Sequence, residues 1–446
     1  MLKVGIMLFC LCSCSWGETG LILSLSVFLF MLMNPVFEGM SMFFVDFDFF
    51  SWNLILLSIW VFLMAIFGST SIKFFNKLNI LYLKIMSALL FFLFLTFSVS
   101  DFLVFYIMFE ACLIPILLMI LGWGYQPERM EAGVYMFFYT LLGSLPLFFM
   151  ILYLGNEMGC NYMYMMFGSG SVNSLVFLFL VGAFLVKFPM YSVHLWLLKA
   201  HVEAPVAGSM ILAGVLLKLG GYGLVRFSPF FLEGGKIVKE FVIVFSVWGG
   251  LVLSLVCLRF SDMKLLIAAS SVVHMSGCIC GIFILSDWGL KGCLVMMLAH
   301  GICSSGLFYL ANVVYERTNS RSMMVNKGLL SVMPVFSLWW FLLVVSNMAG
   351  PPSYNLAGEI MLLVSVVNWN NFMIVILFFL GFFSAAYSLY LYSFSQHGVF
   401  VKVKKSFMSG LVLEYFVLFL HWFPLNILIL GLMMMLYLTN YSICGV

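Results

Sequence analysis

Charge is the scarcest property of this sequence: only 8% of its 446 residues are Asp, Glu, Lys or Arg, against about 25% in a water-soluble domain. With 65% of the residues hydrophobic, so little charge excludes a soluble globular fold, and lipid must solvate most of the chain. The net charge of +3 is spread too thinly to form a patch for nucleic acid. The 11 cysteines include no C-x-x-C pair, which excludes zinc-ribbon and ferredoxin-type spacings. Cys10, Cys12 and Cys14 fall in the first apolar segment, and Cys278 and Cys280 in a later one, where cysteine reads as a small packing residue. Gly220-Gly221-Tyr222-Gly223 follows no strand and is not a nucleotide loop. No flavin, nicotinamide or iron–sulfur signature is present, so no cofactor is expected in this chain. Met1 to Cys14 is too apolar for an Arg-rich transit peptide, and no removable targeting segment is expected. So apolar a chain, rich in Met and Phe, points to synthesis inside an organelle.

What is abundant is hydrophobic length. A crossing helix needs roughly 20 apolar residues, and fourteen segments read as spans. They are Leu2–Ser15, Leu21–Met33, Phe50–Phe67, Leu78–Phe97, Phe102–Leu121, Val134–Leu154, Ser174–Leu198, Val206–Phe227, Phe241–Leu258, Leu265–Leu285, Leu290–Val314, Leu330–Val366, Phe372–Phe394 and Leu411–Leu438. The loops between them are short. The expected fold is all-α: a polytopic membrane protein of about 14 transmembrane helices forming a single membrane domain over residues 1–446.

The sparse charges orient this count. Loops after odd-numbered spans hold Lys73, Lys77, Arg129, Lys199, Arg259, Lys264, Arg317, Arg321, Lys327, Lys402, Lys404 and Lys405. The other side holds Lys3, Arg226, Lys236, Lys239 and Lys291, with Glu38, Asp46, Asp48, Asp101 and Glu157 beside them. Positive charge marks the side from which insertion proceeds, so both termini are expected on the far side. A miscount by one span would scramble the bias.

Two spans are interrupted. The seventh contains Lys187-Phe188-Pro189, and proline inside a helix removes a backbone donor and crowds the preceding turn. The twelfth is too long for one straight span and contains Ala349-Gly350-Pro351-Pro352-Ser353-Tyr354-Asn355. Backbone freed at such breaks must line protein or water. If spans four to eight (78–227) and nine to thirteen (240–394) are two units, after N-terminal helices in 1–77 and before a last helix in 411–438, each broken helix is fourth in its unit. Five is odd, so the two units run in opposite directions. Inverted repeats with broken helices in matching places mark ion or substrate transporters; the plainer reading is two proline kinks, which matched positions make less natural.

Four ionisable residues are read as sitting well inside spans: Glu110, Lys187, Lys218 and Glu359. Each costs roughly 2.5–3.5 kcal/mol on insertion scales, so they are expected to face one another or water and to mark an ion path. A structural ion pair is the plainer alternative. His274 and His300 lie in the tenth and eleventh spans, and imidazole titrates most readily near neutral pH. His194 and His201, seven apart, leave haem ligation as a rival, although Lys199 and His201 read as loop. His201-Val202-Glu203-Ala204-Pro205 is a polar corner, either a helix stop or a proton port. Gly277 and Gly281 have the spacing of close helix packing.

Several runs together resemble one family. They are Phe109-Glu110 through Pro115, Gln126-Pro127-Glu128-Arg129, Lys199-Ala200-His201-Val202-Glu203-Ala204-Pro205, Leu217-Lys218-Leu219-Gly220-Gly221-Tyr222-Gly223, Ala299-His300-Gly301 and Tyr315-Glu316-Arg317-Thr318. Over Ser100 to Gly358 the chain is similar to the subunit 4 family of mitochondrial NADH:ubiquinone oxidoreductase (respiratory complex I), related to subunits of cation/proton antiporters. The resemblance implies fourteen helices, inverted five-helix repeats, broken seventh and twelfth helices, and a positive-rich side in the matrix. It implies that Lys187 is the broken-helix lysine, Glu110 its acidic modulator, Lys218 the middle lysine, His300 the linking histidine, Glu359 the terminal acid and His274 a further member of a proton path. It implies a subunit of an H+-translocating NADH:ubiquinone reductase in the mitochondrial inner membrane, with both termini on the intermembrane-space side. Its partners would be lipid, protons, bound water and other membrane-arm subunits, while NADH and ubiquinone would bind elsewhere in the enzyme. A stand-alone cation/proton antiporter and a structural spacer remain the alternatives.

Overall fold

The computed structural model describes residues 2–32, 48–75, 78–159, 161–163, 174–230, 235–399, 410–433 and 435–436. Glu38, Asp46, Lys77, Lys402, Lys404, Lys405 and the end of the last expected span lie outside them. Among the described residues no strand forms, only the isolated bridges Asp101–Tyr162 and Asp262–Ser322. The main helices are α1 (Leu2–Cys10), α2 (Trp16–Leu32), α3 (Phe49–Gly68), α4 (Asn79–Ser98), α5 (Phe102–Trp123), α6 (Arg129–Met158), α7 (Ser174–Lys187), α8 (Leu195–Glu203), α9 (Val206–Arg226), α10 (Lys236–Cys257), α11 (Met263–Ile284), α12 (Asp287–Thr318), α13 (Pro334–Asn347), α14 (Tyr354–Trp369), α15 (Met373–Gln396) and α16 (Val412–Ile427). Nine of them, among the described residues, are long and apolar enough to cross a membrane, and α2, α7, α13 and α16 are shorter apolar helices. The first expected span shrinks to α1, which gives way to a 3₁₀ turn over Leu11–Ser13. Lys199 and His201, read above as loop, are helical within α8.

Helix starts follow local chemistry. At α3 the Ser51 hydroxyl accepts from the Asp48 backbone N–H, 2.9 Å, and at α12 the Ser286 hydroxyl accepts from Gly289, 3.1 Å. Both satisfy donors that a helix start leaves unpaired. The two expected breaks are present. Between α7 and α8 the chain passes through Phe188, Pro189 and Met190 and a short 3₁₀ turn, Tyr191–Val193. Between α13 and α14 it passes Met348–Ser353, with Ala349 at φ 58°, a left-handed conformation that a Cβ disfavours. There the Asn355 amide donates to the Ser346 carbonyl, 2.7 Å, so a backbone acceptor at the break is satisfied inside protein.

The helices group into two compact units. Unit 1 comprises Met1–Phe188, Glu203–Phe241 and Met433–Val446; unit 2 comprises Pro189–Val202 and Val242–Leu432. In unit 1, α3 packs against α2, α4 and α9, and α6 and α9 both pack against α7. The α7–α9 contact depends on glycine. A Cβ on Gly220 would lie 2.6 Å from the Phe188 amide nitrogen, and one on Gly223 would lie 2.2 Å from the Phe184 ring. Gly220→Val is therefore expected to push α9 off the break, costing about 1–3 kcal/mol or more because backbone cannot yield as a side chain does. Thermal unfolding of the assembled enzyme measures this, and an unchanged midpoint would refute it.

In unit 2, α12 is the axis. It packs against α11, α13, α14 and α16, and its central apolar stretch is wholly buried. A Cβ on Gly281 would lie 2.9 Å from the Gly289 carbonyl, so Gly281 sets the close approach of α11 and α12; Gly277 has only Leu362 at 3.8 Å. By contrast α6 and α15 turn Phe138, Leu142, Phe149, Phe378 and Phe382 outward. Exposed apolar surface on helices of this length is the surface of a membrane protein.

Candidate functional site

The site in unit 1 begins with a local weakness in α5. Pro115 has no N–H for the Ala111 carbonyl, and its ring crowds that turn; the helix is interrupted at Cys112. The adjoining Phe109 carbonyl accepts a hydrogen bond from Lys187 Nζ at 2.7 Å. Lys187 is the last residue of α7 before the break, and it is buried. Its ammonium also lies 3.1 Å from the centre of the Phe109 ring, a cation–π contact, and 3.6 Å from Glu110 Oε1. Both Glu110 oxygens are buried and make no hydrogen bond among the described residues. The pair is thus a loose ionic contact, longer than a hydrogen bond, that a side-chain rotation can tighten or open.

Lys218 is fully buried in α9. The residues just before it, Leu212–Leu216, form a π-helical turn. Such a turn shifts the backbone ladder by one residue and often lies at functional sites. Here Lys218 Nζ donates to the Ala213 carbonyl within that turn.

Unit 2 holds the second cluster. His274 of α11 lies with Nδ1 3.2 Å from Glu359 Oε1 and Nε2 3.3 Å from the Tyr387 hydroxyl. Its ring centroid is 5.5 Å from that of His300, fully buried in α12. Glu359 sits in the second turn of α14, just past the break. A cavity of about 90 Å³ adjoins the group, its polar lining supplied by His274, Ser276, Glu359 and Ser384. An imidazole between a carboxylate and a phenol can take a proton at one nitrogen and release one at the other.

Each sequence-predicted residue is thus placed within its own unit: Lys187 with Glu110, Lys218 on the π turn, and His274 with His300 and Glu359. Other expectations need correction. Lys264, assigned above to a loop, is in the first turn of α11, 2% exposed, with Nζ 5.6 Å from the centre of the Tyr315 ring. Arg317, also assigned to a loop, is in the last turn of α12 and bonds Glu414 of α16 at 2.6 Å. Lys84, which sequence reading passed over, is exposed on α4. His194 bonds the Tyr191 carbonyl, while His201 stacks on Phe308 at 4.6 Å and 3°. At the polar corner His201 and Glu203 are buried, and Arg321 holds the Val202 carbonyl at 3.1 Å. Tyr387 carried no sequence signal, being one tyrosine in an apolar helix. Among the described residues no group of three or more His, Cys, Asp and Glu side chains could hold a metal.

The chain matches the family described as NADH:quinone oxidoreductase/Mrp antiporter, TM, over residues 99–384. It is 52% identical over 406 residues to NADH-ubiquinone oxidoreductase chain 4 of Ceratitis capitata, covering 90% of this chain and 91% of that one. The chain belongs to the NADH-ubiquinone oxidoreductase chain 4 family. Another member of the chain 4 family, from Locusta migratoria, is 47% identical over 420 residues, 94% of each chain. The fold is also that of a chain in respiratory complex I from Thermus thermophilus with bound NADH, with TM-score 0.86, 22% identity, and coverage of 99% of this chain and 97% of that one. A chain of the Mrp complex from Dietzia sp. DQ12-45-1b has TM-score 0.86 at 15% identity, and the match covers 99% of this chain and 52% of that one.

Proposed function

We propose that this chain is a proton-translocating membrane-arm subunit of an H+-translocating NADH:ubiquinone oxidoreductase, driven by electron transfer in partner subunits. The observation that carries the reading is the pair of acid–base contacts beside the two breaks, buried Lys187 with Glu110 and buried His274 with half-buried Glu359. Desolvation disfavours a charged lysine, and a nearby carboxylate favours it. Moving Glu110 toward or away from Lys187 loads or releases a proton. Moving one proton against about 180 mV takes roughly 4 kcal/mol, within what burial and one charge partner supply. The proton then passes by way of Lys218, His300 and His274 to Glu359, with bound water as the carrier; the cavity beside Glu359 has room for a few molecules.

The reading counts fourteen crossings, taking α7 with α8 and α13 with α14 as one interrupted crossing each, and two inverted repeats over 78–227 and 240–394 within one membrane domain. It places the chain in the mitochondrial inner membrane, both termini on the intermembrane-space side. Membrane-arm subunits and lipid surround it, NADH and ubiquinone bind partner subunits, and no cofactor resides in this chain. Likeness to the Mrp chain supports the rival, a stand-alone cation/proton antiporter. The two separate on the driving force. Vesicles carrying the assembled enzyme are expected to acidify only when NADH and a quinone are supplied. Sodium–proton exchange by the isolated chain, with no electron donor, would establish the rival instead.

A further inference from the structure

The last helix carries a titratable group that the path above does not use. His421 of α16 is fully buried, with Nδ1 2.8 Å from the Val417 carbonyl. A carbonyl oxygen can only accept, so Nδ1 bears the hydrogen, and the neutral ring leaves Nε2 with its lone pair. Nε2 is buried and has no hydrogen-bond partner among the described residues. A desolvated ring nitrogen of this kind is unfavourable where packing is its only duty.

The surroundings of His421 are ordered from both sides. A Cβ on Gly306 of α12 would lie 3.2 Å from His421 Cβ and 3.3 Å from Cγ, so α12 and α16 close on each other where the imidazole sits. Seven residues before His421, two turns back and on the same face, Glu414 bonds Arg317 of α12 at 2.6 Å. Next to this pair the Asn312 amide donates to Glu316, 3.0 Å. The seam between α12 and α16 therefore runs from an acid–base pair in the last turn of α12 down to the imidazole. In the other direction Gly306 is six residues from His300, about 9 Å along the helix at roughly 1.5 Å per residue. Polar groups line that interval too: Cys303 Sγ lies 3.2 Å from Ser346 Oγ, and Ser304 donates to the His300 carbonyl at 2.7 Å.

We infer that His421 is a proton relay on a branch along the α12–α16 seam, linking the Arg317–Glu414 pair to His300. The proton arrives on Nε2 from water, gives an imidazolium that keeps its Nδ1 bond to Val417, and leaves from Nε2 toward His300; no electrons move and no bond to carbon changes. The inference rests on the proton-pumping reading. It gives the last helix a part in transport and makes the end of α12 that bears Arg317 an uptake side.

The test is His421→Asn in the assembled enzyme, since the asparagine amide keeps a donor for the Val417 carbonyl but cannot take up a proton. Assembly level and melting temperature are expected to match the parent, while NADH-driven proton flux into vesicles falls about tenfold or more, a modest share of what a positioned proton-transfer group contributes. Parent-like flux in His421→Asn, alongside lost flux in Lys187→Ala, would overturn the relay and leave the pumping reading standing. Parent-like flux in both would overturn the pumping reading itself. Should His421→Asn fail to assemble, a high-resolution density map of the unaltered enzyme decides. Ordered water bonded to Nε2 and continuing to His300 supports the relay, and dry apolar packing around Nε2 refutes it.

Discussion

Replacing Lys187 by alanine is expected to abolish proton translocation by the assembled enzyme. Three contacts converge on the ammonium: the Phe109 carbonyl, the Phe109 ring and Glu110. Alanine removes all three and the site where a proton is held. It also strands the Glu110 carboxylate in a buried place, and breaking a buried pair from one side costs about 3–5 kcal/mol. Loss of pumping in the single variant could therefore reflect a damaged fold. Lys187→Met with Glu110→Gln separates the causes, because removing both charges together is often neutral for stability. The double variant is expected to recover the thermal midpoint without recovering proton flux. A full proton-to-electron ratio in either variant, read with a pH-sensitive dye in vesicles, would remove Lys187 from the path.

The second large effect is expected at Glu359. Glutamine there has nearly the same volume and can still bond His274 Nδ1, so the 3.2 Å contact and the packing of α14 on α12 persist. What disappears is an oxygen able to take up and give back a proton. Pumping is expected to drop about tenfold or more, with stability shifted by no more than about 1 kcal/mol, the worth of one altered hydrogen bond. Undiminished flux in Glu359→Gln would show that the proton leaves His274 by another route.

Much of this was legible in the sequence, for identifiable reasons. Unbroken apolar runs have few alternatives to helices, and four ionisable residues within them stood out because charge there is so unfavourable. The breaks were legible from Pro189 and Pro351-Pro352, although proline was not a sufficient signal. Pro146 and Pro424 both lie inside helices, α6 and α16, that continue past them. Lys264 and Arg317 misled because each sits within a turn of a helix end, where sequence cannot separate a solvated lysine from one folded under a neighbouring ring. The π turn before Lys218 left no trace, since Leu212-Ala213-Gly214-Val215-Leu216 is ordinary helix composition. Tyr387 and His421 were invisible for one reason: the neighbours that give them meaning, His274 beside Tyr387 and Gly306 against His421, are distant in sequence, and only tertiary contact reveals them.

The complete enclosure of the central stretch of α12 has a bearing on how the protein tolerates change. A rod with neighbours on all sides offers no register where an added methyl or a stray hydroxyl can be turned toward solvent or fatty acid. Replacements along that central stretch are constrained by volume at every position, and the rod itself is poorly suited to slide or swivel during turnover. Movement is left to the short half-rods at the two interruptions, and freedom to drift is left to α6 and α15, whose outer faces need only stay oily.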